Sequence, residues 1–237
     1  MGRKSLNLSR LVVAFKPARE IYFWIGNRWA SRNGLQPLGT YWYSSEGADF
    51  SQVKPRAFPA PNLSGGFYLA LVAYWEHFGL GRNCLLVSET GQTKKLFEAR
   101  YPKVTFATTD LHWELQDTQG FGKPDIVWNV CLPHPQQLEG KQFDSIICQA
   151  LLEHVIDPTT ALINMLTLLT PGGYLYLQTH TPSFMLHRYP RDYVRFHHDY
   201  FEDLPAYVRG RVHVSVAMLE MYSNRGFVAV CYRREGQ

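Results

Sequence analysis

The chain has 237 residues, of which 46% are hydrophobic, and this is enough to build the core of one α/β domain. The net charge of +4 is carried by residues 1–56, which hold nine Lys or Arg against three Asp or Glu. No groove-reading motif or zinc-finger spacing indicates nucleic acid as a partner. No stretch has the roughly 18 uninterrupted apolar residues of a membrane span, and the beginning of the chain lacks a signal-peptide pattern.

The four cysteines also bear on the compartment. They lie inside apolar runs and show no CxxC spacing, which is typical of small buried residues in a reducing environment. We therefore expect a cytoplasmic protein without a transmembrane segment or a nucleic-acid partner.

The N-terminal region differs from the rest. Apolar residues in 8–31 follow helical spacing, and Pro17 divides this run into two predicted helices. Residues 33–66 are rich in Gly, Pro, Ser and aromatic residues, which predicts irregular coil. We divide the chain into an N-terminal arm, 1–63, and an α/β domain, 64–237. For the arm, packing on the domain, covering the site, touching a membrane surface and pairing two subunits as a homodimer all remain open.

The rest of the chain alternates between strand and helix patterns. Residues 67–78 predict a helix that stops at Gly79. The predicted strands are 84–89, 104–110, 125–130, 143–150 and 174–179; a helix is predicted at 93–101, another begins after Asp157-Pro158 and stops at Thr170-Pro171-Gly172-Gly173, and 212–221 with 226–233 predict a hairpin. This order predicts an α/β fold with a doubly wound, mostly parallel sheet that ends in an antiparallel hairpin. Such sheets bind ligands at the carboxyl ends of their strands.

Three phrases carry a family resemblance. They are FDSIICQALLEHVIDPTTAL (143–162), LLTPGGYLYLQT (168–179) and HRYPRDYVRFHHDYFEDL (187–204). Together with the order of elements they resemble class I S-adenosylmethionine-dependent methyltransferases, over about residues 64–233. The resemblance implies a Rossmann-like fold, S-adenosylmethionine as cofactor, and methyl transfer to an oxygen or nitrogen atom of a small-molecule substrate.

The first strand and its loop, LLVSETGQTKK (85–95), depart from the family pattern. The family reads acid-x-Gly-x-Gly-x-Gly there, whereas this chain has Ser88 and Thr90 at glycine-like positions and keeps Gly91. Side chains at these positions fill space that glycine leaves open, although their hydroxyls can hydrogen bond. Three hypotheses follow. The loop holds the cofactor in another way, the protein is a catalytically inactive member that serves as a binding or regulatory partner, or the fold serves other chemistry with the cofactor bound but not consumed.

The resemblance also implies a set of cofactor-binding residues: Ser88, Glu89, Gly91, Asp110, Asn129 and Gln149. Asp110 ends the second predicted strand, where a carboxylate has two oxygens for the two ribose hydroxyls. Asn129 lies near the position that meets the adenine amino group. The alternatives are that Asp110 caps a turn or helix and that Asn129 is a structural amide.

Methyl transfer requires in-line positioning and, for a hydroxyl or protonated amine, a base. Histidine suits this task near neutral pH, and His154, His180 and His187 follow predicted strands; incidental surface histidines are the alternative. In some metal-assisted members of the family a Glu-x-x-Glu-His phrase binds a divalent ion. Here Ala150 replaces its first Glu, so we predict no metal and expect Glu153-His154 to orient the loop.

The candidate substrate-binding residues are Arg188, Tyr189, Asp192, Tyr193 and Arg195. Arginine can clamp a carboxylate or phosphate, and aromatic rings can wall a pocket. The alternative is a packed loop in which Asp192 pairs with an arginine.

Overall fold

The computed structural model describes residues 42–43, 69–112, 122–182, 184, 186, 191–222 and 226–236. The two helices predicted in 8–31 lie outside the described residues. The strands are β1 (Trp42–Tyr43), β2 (Asn83–Val87), β3 (Thr105–Asp110), β4 (Ile126–Val127), β5 (Phe143–Gln149), β6 (Leu169–His180), β7 (Val214–Tyr222) and β8 (Phe227–Arg234). The helices are α1 (Leu69–Phe78), α2 (Gly91–Arg100), α3 (Pro158–Thr167) and α4 (His198–Val208), with short 3-10 turns at Gln136–Leu138 and Leu152–His154.

The eight strands form one sheet in the order β1-β7-β8-β6-β5-β2-β3-β4. Strands β4, β3, β2, β5 and β6 are parallel, whereas β8 runs antiparallel to both β6 and β7. The predicted doubly wound sheet with a terminal hairpin is therefore confirmed. Strand β2 has β3 on one side and β5 on the other, so the strand order reverses there, which is where such sheets bind ligands.

Apolar side chains cover both faces of the central strands. Residues alternate along each strand, so Leu85 and Ile146 face the layer formed by α3 and α4, while Leu86 and Ile147 face α1 and α2. Trp75 of α1 is 2% exposed, and its indole N–H donates to the Tyr101 hydroxyl at 2.7 Å. This two-sided burial explains why the parallel strands are apolar almost throughout.

The loop after β2 turns earlier than predicted. Strand β2 ends at Val87 because Ser88 has a positive φ of 61°. Thr90 then serves as the N-cap of α2, and its hydroxyl accepts from the Thr93 N–H at 3.5 Å. Helix α2 therefore begins at Gly91, two residues before the predicted start.

The next helix begins as predicted. The Asp157 carboxylate accepts from the Thr160 N–H at 3.0 Å, and Pro158 occupies the first turn of α3. Strand β6, however, begins at Leu169 and includes the glycines that were predicted to stop the helix. A Cβ on Gly173 would lie 2.8 Å from the Asp144 backbone oxygen, so glycine allows the close approach of β6 to β5.

Two further boundaries differ from the sequence prediction. Strand β1 lies within the segment predicted as coil, and Trp42 pairs with Glu220 of β7, so the coil prediction is wrong at these two residues. Strand β4 spans Ile126–Val127 and is shorter than predicted. The division of the chain at residue 63 stays a prediction. Within the described ranges, no helix combines the length and apolar character that crossing a membrane requires.

Candidate functional site

Three of the candidate cofactor residues lie level on adjacent strands. Val87 pairs with Thr109 on one side and with Cys148 on the other. The next residues along the chain are Ser88, Asp110 and Gln149. Since neighbouring strands are about 4.8 Å apart, these three residues from distant parts of the sequence lie side by side at the carboxyl edge of the sheet.

The backbone is strained at this edge. Ser88 and Ala150 have positive φ values of 61° and 48°, and they are the non-glycine residues with positive φ among those described. Such conformations cost about 1–3 kcal/mol and cluster at functional sites. Thr90, in contrast, has an ordinary extended φ of −95°. Of the two positions where Ser or Thr replaces glycine, only Ser88 therefore has a backbone that favours glycine.

Asp110 is buried at the end of β3, with 5% of its surface exposed. Its Oδ1 accepts from the His112 N–H at 3.1 Å, so the turn-capping interaction is present. Burial is the largest influence on this carboxyl and raises its pKa above the usual value. A buried carboxylate at a strand end gains from additional hydrogen-bond donors.

Asn129 makes a local structural contact. Its Oδ1 accepts from the Cys131 N–H at 3.0 Å, and its backbone oxygen accepts from the Leu132 N–H at 2.9 Å. This arrangement forms the turn after β4 and supports the structural interpretation of the side chain.

Gln149 differs from Asn129 in this respect. It is 7% exposed, and its Oε1 has no hydrogen-bond partner among the described residues. Gln178, opposite it on β6, is 4% exposed and also has an unpaired Oε1 in the described part of the chain. Leaving a buried acceptor unpaired costs about 1–3 kcal/mol, so a ligand that donates hydrogen bonds here is favoured. The sequence analysis did not identify Gln178 as a candidate site residue, although the pairing of β5 with β6 makes it the neighbour of Gln149.

His180, the first candidate base in the described region, has both ring nitrogens directed at protein oxygens. Its Nδ1 lies 3.3 Å from the Gly226 backbone oxygen, and its Nε2 lies 3.1 Å from Oε1 of Glu153. The ring stacks on Phe184 with 3.7 Å between centroids. In this arrangement His180 does not present a nitrogen to an acceptor substrate.

His154 is more accessible. Its Nδ1 is 2.5 Å from the Arg191 backbone oxygen, and 10% of its side chain is exposed. Burial lowers its pKa, which favours the neutral ring that a base requires. The third candidate, His187, lies outside the described residues.

The burial of Glu153 and its contact with His180 were not predicted from the sequence. Glu153 is fully buried, and burial is the main cause that raises its pKa to about 7. Its Oε2 accepts from the Thr179 hydroxyl at 2.6 Å. Glu153 follows β5 and His180 ends β6, so the pairing of these strands is the signal that could have brought the two side chains together.

The candidate substrate residues divide into three groups. Both carboxylate oxygens of Asp192 accept from the Arg195 guanidinium, and the Asp192 side chain is 1% exposed. This pairing supports the packed-loop interpretation of Asp192 and Arg195. Tyr193 is 50% exposed and stays available to a ligand, whereas Arg188 and Tyr189 lie outside the described residues.

One group in the described region has the spacing of metal ligands, His198 with Asp199 and Glu202. It lies within the first five residues of α4, near the helix N-terminus, where the helix dipole disfavours a cation, and both carboxylates are exposed. We assign no metal to it, and the absence of a metal at Glu153-His154 stays a prediction.

Comparisons with known proteins give the following similarities. No curated protein sequence matches the chain. Among solved structures, an S-adenosylmethionine-dependent methyltransferase from Clostridium acetobutylicum ATCC 824 is 11% identical with a TM-score of 0.49, over 70% of this chain and 89% of that one. An O-methyltransferase family protein from Burkholderia thailandensis is 16% identical with a TM-score of 0.44, over 71% of this chain and 57% of that one. The N-methyltransferase NodS from Bradyrhizobium japonicum WM9, in complex with S-adenosyl-L-homocysteine, is 14% identical with a TM-score of 0.43, over 70% of this chain and 85% of that one.

The sequence of the chain matches the model of a family described as a methyltransferase domain, over residues 31–230. The match covers more than half of the chain and includes every strand of the described sheet, apart from the last four residues of β8. The chain therefore belongs to this family of methyltransferase domains.

Proposed function

We propose that the protein transfers the methyl group of S-adenosylmethionine to an oxygen or nitrogen atom of a small-molecule substrate. The observation that carries the proposal is the level arrangement of Ser88, Asp110 and Gln149 at the strand-order switch. The unpaired, buried Oε1 of Gln149 supports a ligand that donates hydrogen bonds, and the cofactor has hydroxyl and amino donors. The residues present therefore fit the cofactor.

In this proposal Asp110 accepts from the ribose hydroxyls, while Ser88, Glu89 and Gly91 form the loop that faces the amino-acid portion. Glu89 is 8% exposed, and its N–H donates to the Thr109 backbone oxygen at 3.0 Å, which fixes the loop on β3. A carboxylate there complements the cationic groups of the cofactor. Asn129 and Gln149 complete the set, with Asn129 as the weaker candidate because its Oδ1 already accepts from Cys131.

The bound cofactor supplies an electrophilic sulfonium methyl group, and the protein supplies position and a proton acceptor. Of the candidate bases in the described region, we assign this role to His154. Its Nδ1 must donate to the Arg191 oxygen, because a carbonyl oxygen only accepts, and this leaves the lone pair on Nε2. This nitrogen lies 3.8 Å from Oε1 of Glu153, beyond hydrogen-bond distance, whereas the corresponding distance for His180 is 3.1 Å. His187 is the alternative.

The hypothesis of an inactive member rests on Ser88 and Thr90. The positive φ of Ser88 keeps the turn that glycine normally makes, and Thr90 is the N-cap of α2. The backbone of the loop therefore adopts a regular strand-turn-helix conformation with either side chain in place. This supports an adapted loop.

We also propose that the protein works in the cytoplasm, which its four free thiols favour. We propose in addition that the N-terminal arm pairs two subunits.

A transfer assay tests the proposal. Full-length protein is incubated with S-adenosylmethionine that carries a labelled methyl group and with separate pools of small amines, phenols and carboxylic acids. Labelled product from the amine or phenol pool is the expected result, and His154→Ala should lower its rate. Tight cofactor binding without product from any pool would contradict the proposed transfer.

A further inference from the structure

We propose that Glu153 and His180 are a positioning pair that holds one shared proton and thereby fixes residues 191–196 against the carboxyl ends of β5 and β6. The pair is not a catalytic base, because it acts through the segment that it anchors. The structural part of this proposal stands without the proposed function. Only the statement that residues 191–196 border the methyl acceptor rests on that function.

The number of protons follows from the contacts of His180. Its Nδ1 faces the Gly226 backbone oxygen at 3.3 Å, and a carbonyl has no hydrogen to give, so Nδ1 carries one. On a neutral ring, Nε2 is then a lone pair that lies 3.1 Å from Oε1 of Glu153. Two lone pairs at this distance, inside the protein, repel each other unless a proton lies on one of the atoms.

The two side chains are buried together. Glu153 is 0% exposed and His180 is 4% exposed, so water does not separate them readily. Nε2 and Oε1 meet at ion-pair distance without the alignment of a regular hydrogen bond. The second carboxylate oxygen accepts from the Thr179 hydroxyl at 2.6 Å, which orients the carboxyl group towards the histidine.

Other charged groups face Glu153 from the elements around it. His154 Nε2 lies 3.8 Å from Oε1, and Cys148 on β5 interacts electrostatically with the carboxyl. From the segment after β6, Asp192 disfavours the charged form of Glu153 and Arg195 favours it. Asp192 and Arg195 carry opposite charges and bind each other, so their influences on the Glu153 carboxyl partly cancel. The proton held with His180 is therefore the main means of neutralising the site.

The segment 191–196 is bound to the residues around this pair. The N–H of Tyr193 donates to the Glu153 backbone oxygen at 2.8 Å, and the N–H of Phe196 donates to the His180 backbone oxygen at 3.0 Å. The His154 ring also binds the Arg191 backbone oxygen. Loss of the shared proton would place a bare carboxylate beside a lone pair, push the two anchors apart and loosen the segment that presents Tyr193.

Amide hydrogen exchange in the full-length protein tests the proposal. Protection of the Tyr193, Val194 and Phe196 amides, corrected for intrinsic exchange, is measured from about pH 4 to about pH 9. We expect protection in the wild type to fall, by up to about tenfold per pH unit, over the range in which the opened segment has lost the proton and the closed pair still holds it. Protection should level off at higher pH, once the closed pair has lost its proton as well. In Glu153→Gln an amide N–H replaces the shared proton, so protection should stay constant with pH. Glu139→Gln, the same change at an exposed carboxyl, should behave like the wild type.

A second variant covers the case in which Glu153→Gln does not fold. Thr179→Val removes the donor that favours the carboxylate form, so the fall in protection should continue to a higher pH than in the wild type before it levels off. The nitrogen resonances of His180 should show a protonated Nδ1 throughout. Protection that is constant in the wild type, a pH dependence that persists in Glu153→Gln, or an Nε2–H tautomer would each overturn the proposal. Binding of S-adenosylhomocysteine, measured separately, reports on the proposed function and leaves this result unaffected.

Discussion

Ser88 and Ala150 are the residues that directly follow two neighbouring parallel strands, β2 and β5, and both have left-handed backbone conformations. A side chain in this conformation is strained, and glycine relieves the strain. We expect Ser88→Gly to raise the free energy of unfolding by about 1 kcal/mol, measured by urea denaturation. Thr90→Gly is the matched control, since its φ of −95° offers no strain to relieve and its N-cap hydroxyl would be lost. A destabilised Ser88→Gly would show that the conformation is not strained.

The pH dependence of stability should reveal Glu153. Burial raises the pKa of Glu153 in the folded protein to about 7 from its ordinary value of 4.5, so the folded state binds the proton more tightly than the unfolded state does. Its contribution to stability is therefore full below about pH 4.5 and is lost as the pH rises through 7. Urea denaturation across this range should show that decline in the wild type and a flatter profile in Glu153→Gln. A wild-type stability that rises over this pH range, relative to that of Glu153→Gln, would contradict the assignment.

The Asp192–Arg195 pair should matter more for folding than for substrate binding. Asp192 has a side chain that is 1% exposed, and Arg195→Ala would remove the guanidinium that donates to both of its carboxylate oxygens. We expect a loss of about 3 kcal/mol in the free energy of unfolding. Arg209→Ala, at an exposed position after α4, should change stability little. Unchanged stability in Arg195→Ala, with weaker substrate binding, would favour the substrate clamp.

The N-cap of α3 gives a smaller, well-defined effect. The Asp157 side chain accepts from the Thr160 N–H, and this hydrogen bond is the main cause that lowers its pKa. Asp157→Ala should cost about 1 kcal/mol of stability, while Asp157→Asn retains the acceptor and most of the stability. The advantage of the wild type over Asp157→Ala should shrink as the pH falls below 4, since the depressed pKa means that stability is lost on protonation. An Asp157→Ala stability equal to that of the wild type at neutral pH would argue against the cap.

Local chemistry explains which parts of this fold were predictable. Asp157-Pro158 determines the start of α3 through contacts within four residues, and the apolar runs of β2 and β5 reflect burial on both faces. Strand β6 begins earlier than predicted because its first residues pair with β5. Only glycine fits at position 173, where a Cβ would lie too close to the Asp144 backbone oxygen. The pairing of Trp42 with Glu220 joins residues from opposite ends of the chain, which no local pattern encodes.

The site shows the same division. The ends of predicted strands located Asp110 and Gln149, because strand ends follow from the apolar pattern. The contacts of His180 with Glu153 and Gly226 could not be predicted from the spacing of residues in the sequence, since they depend on how β5, β6 and β8 pack together. The conformation of Ser88 was equally hidden, because a serine in the sequence does not report its φ.

Asp110 should contribute directly to cofactor affinity. Its carboxylate is buried at the end of β3, where we assign it to the ribose hydroxyls. Since hydrogen bonds to a charged group are worth about 1.5–3 kcal/mol, Asp110→Ala should weaken binding of S-adenosylhomocysteine by about tenfold or more. Asp203→Asn, at an exposed position on α4, is the control and should bind as the wild type does.

Calorimetric titration of the folded, full-length protein with S-adenosylmethionine and S-adenosylhomocysteine tests the central claim most directly. The account predicts saturable binding of both at one site per chain, which Asp110→Ala weakens and Ser88→Gly preserves. No heat of binding for either compound at millimolar concentration, in a sample whose fold is verified by circular dichroism, would contradict it.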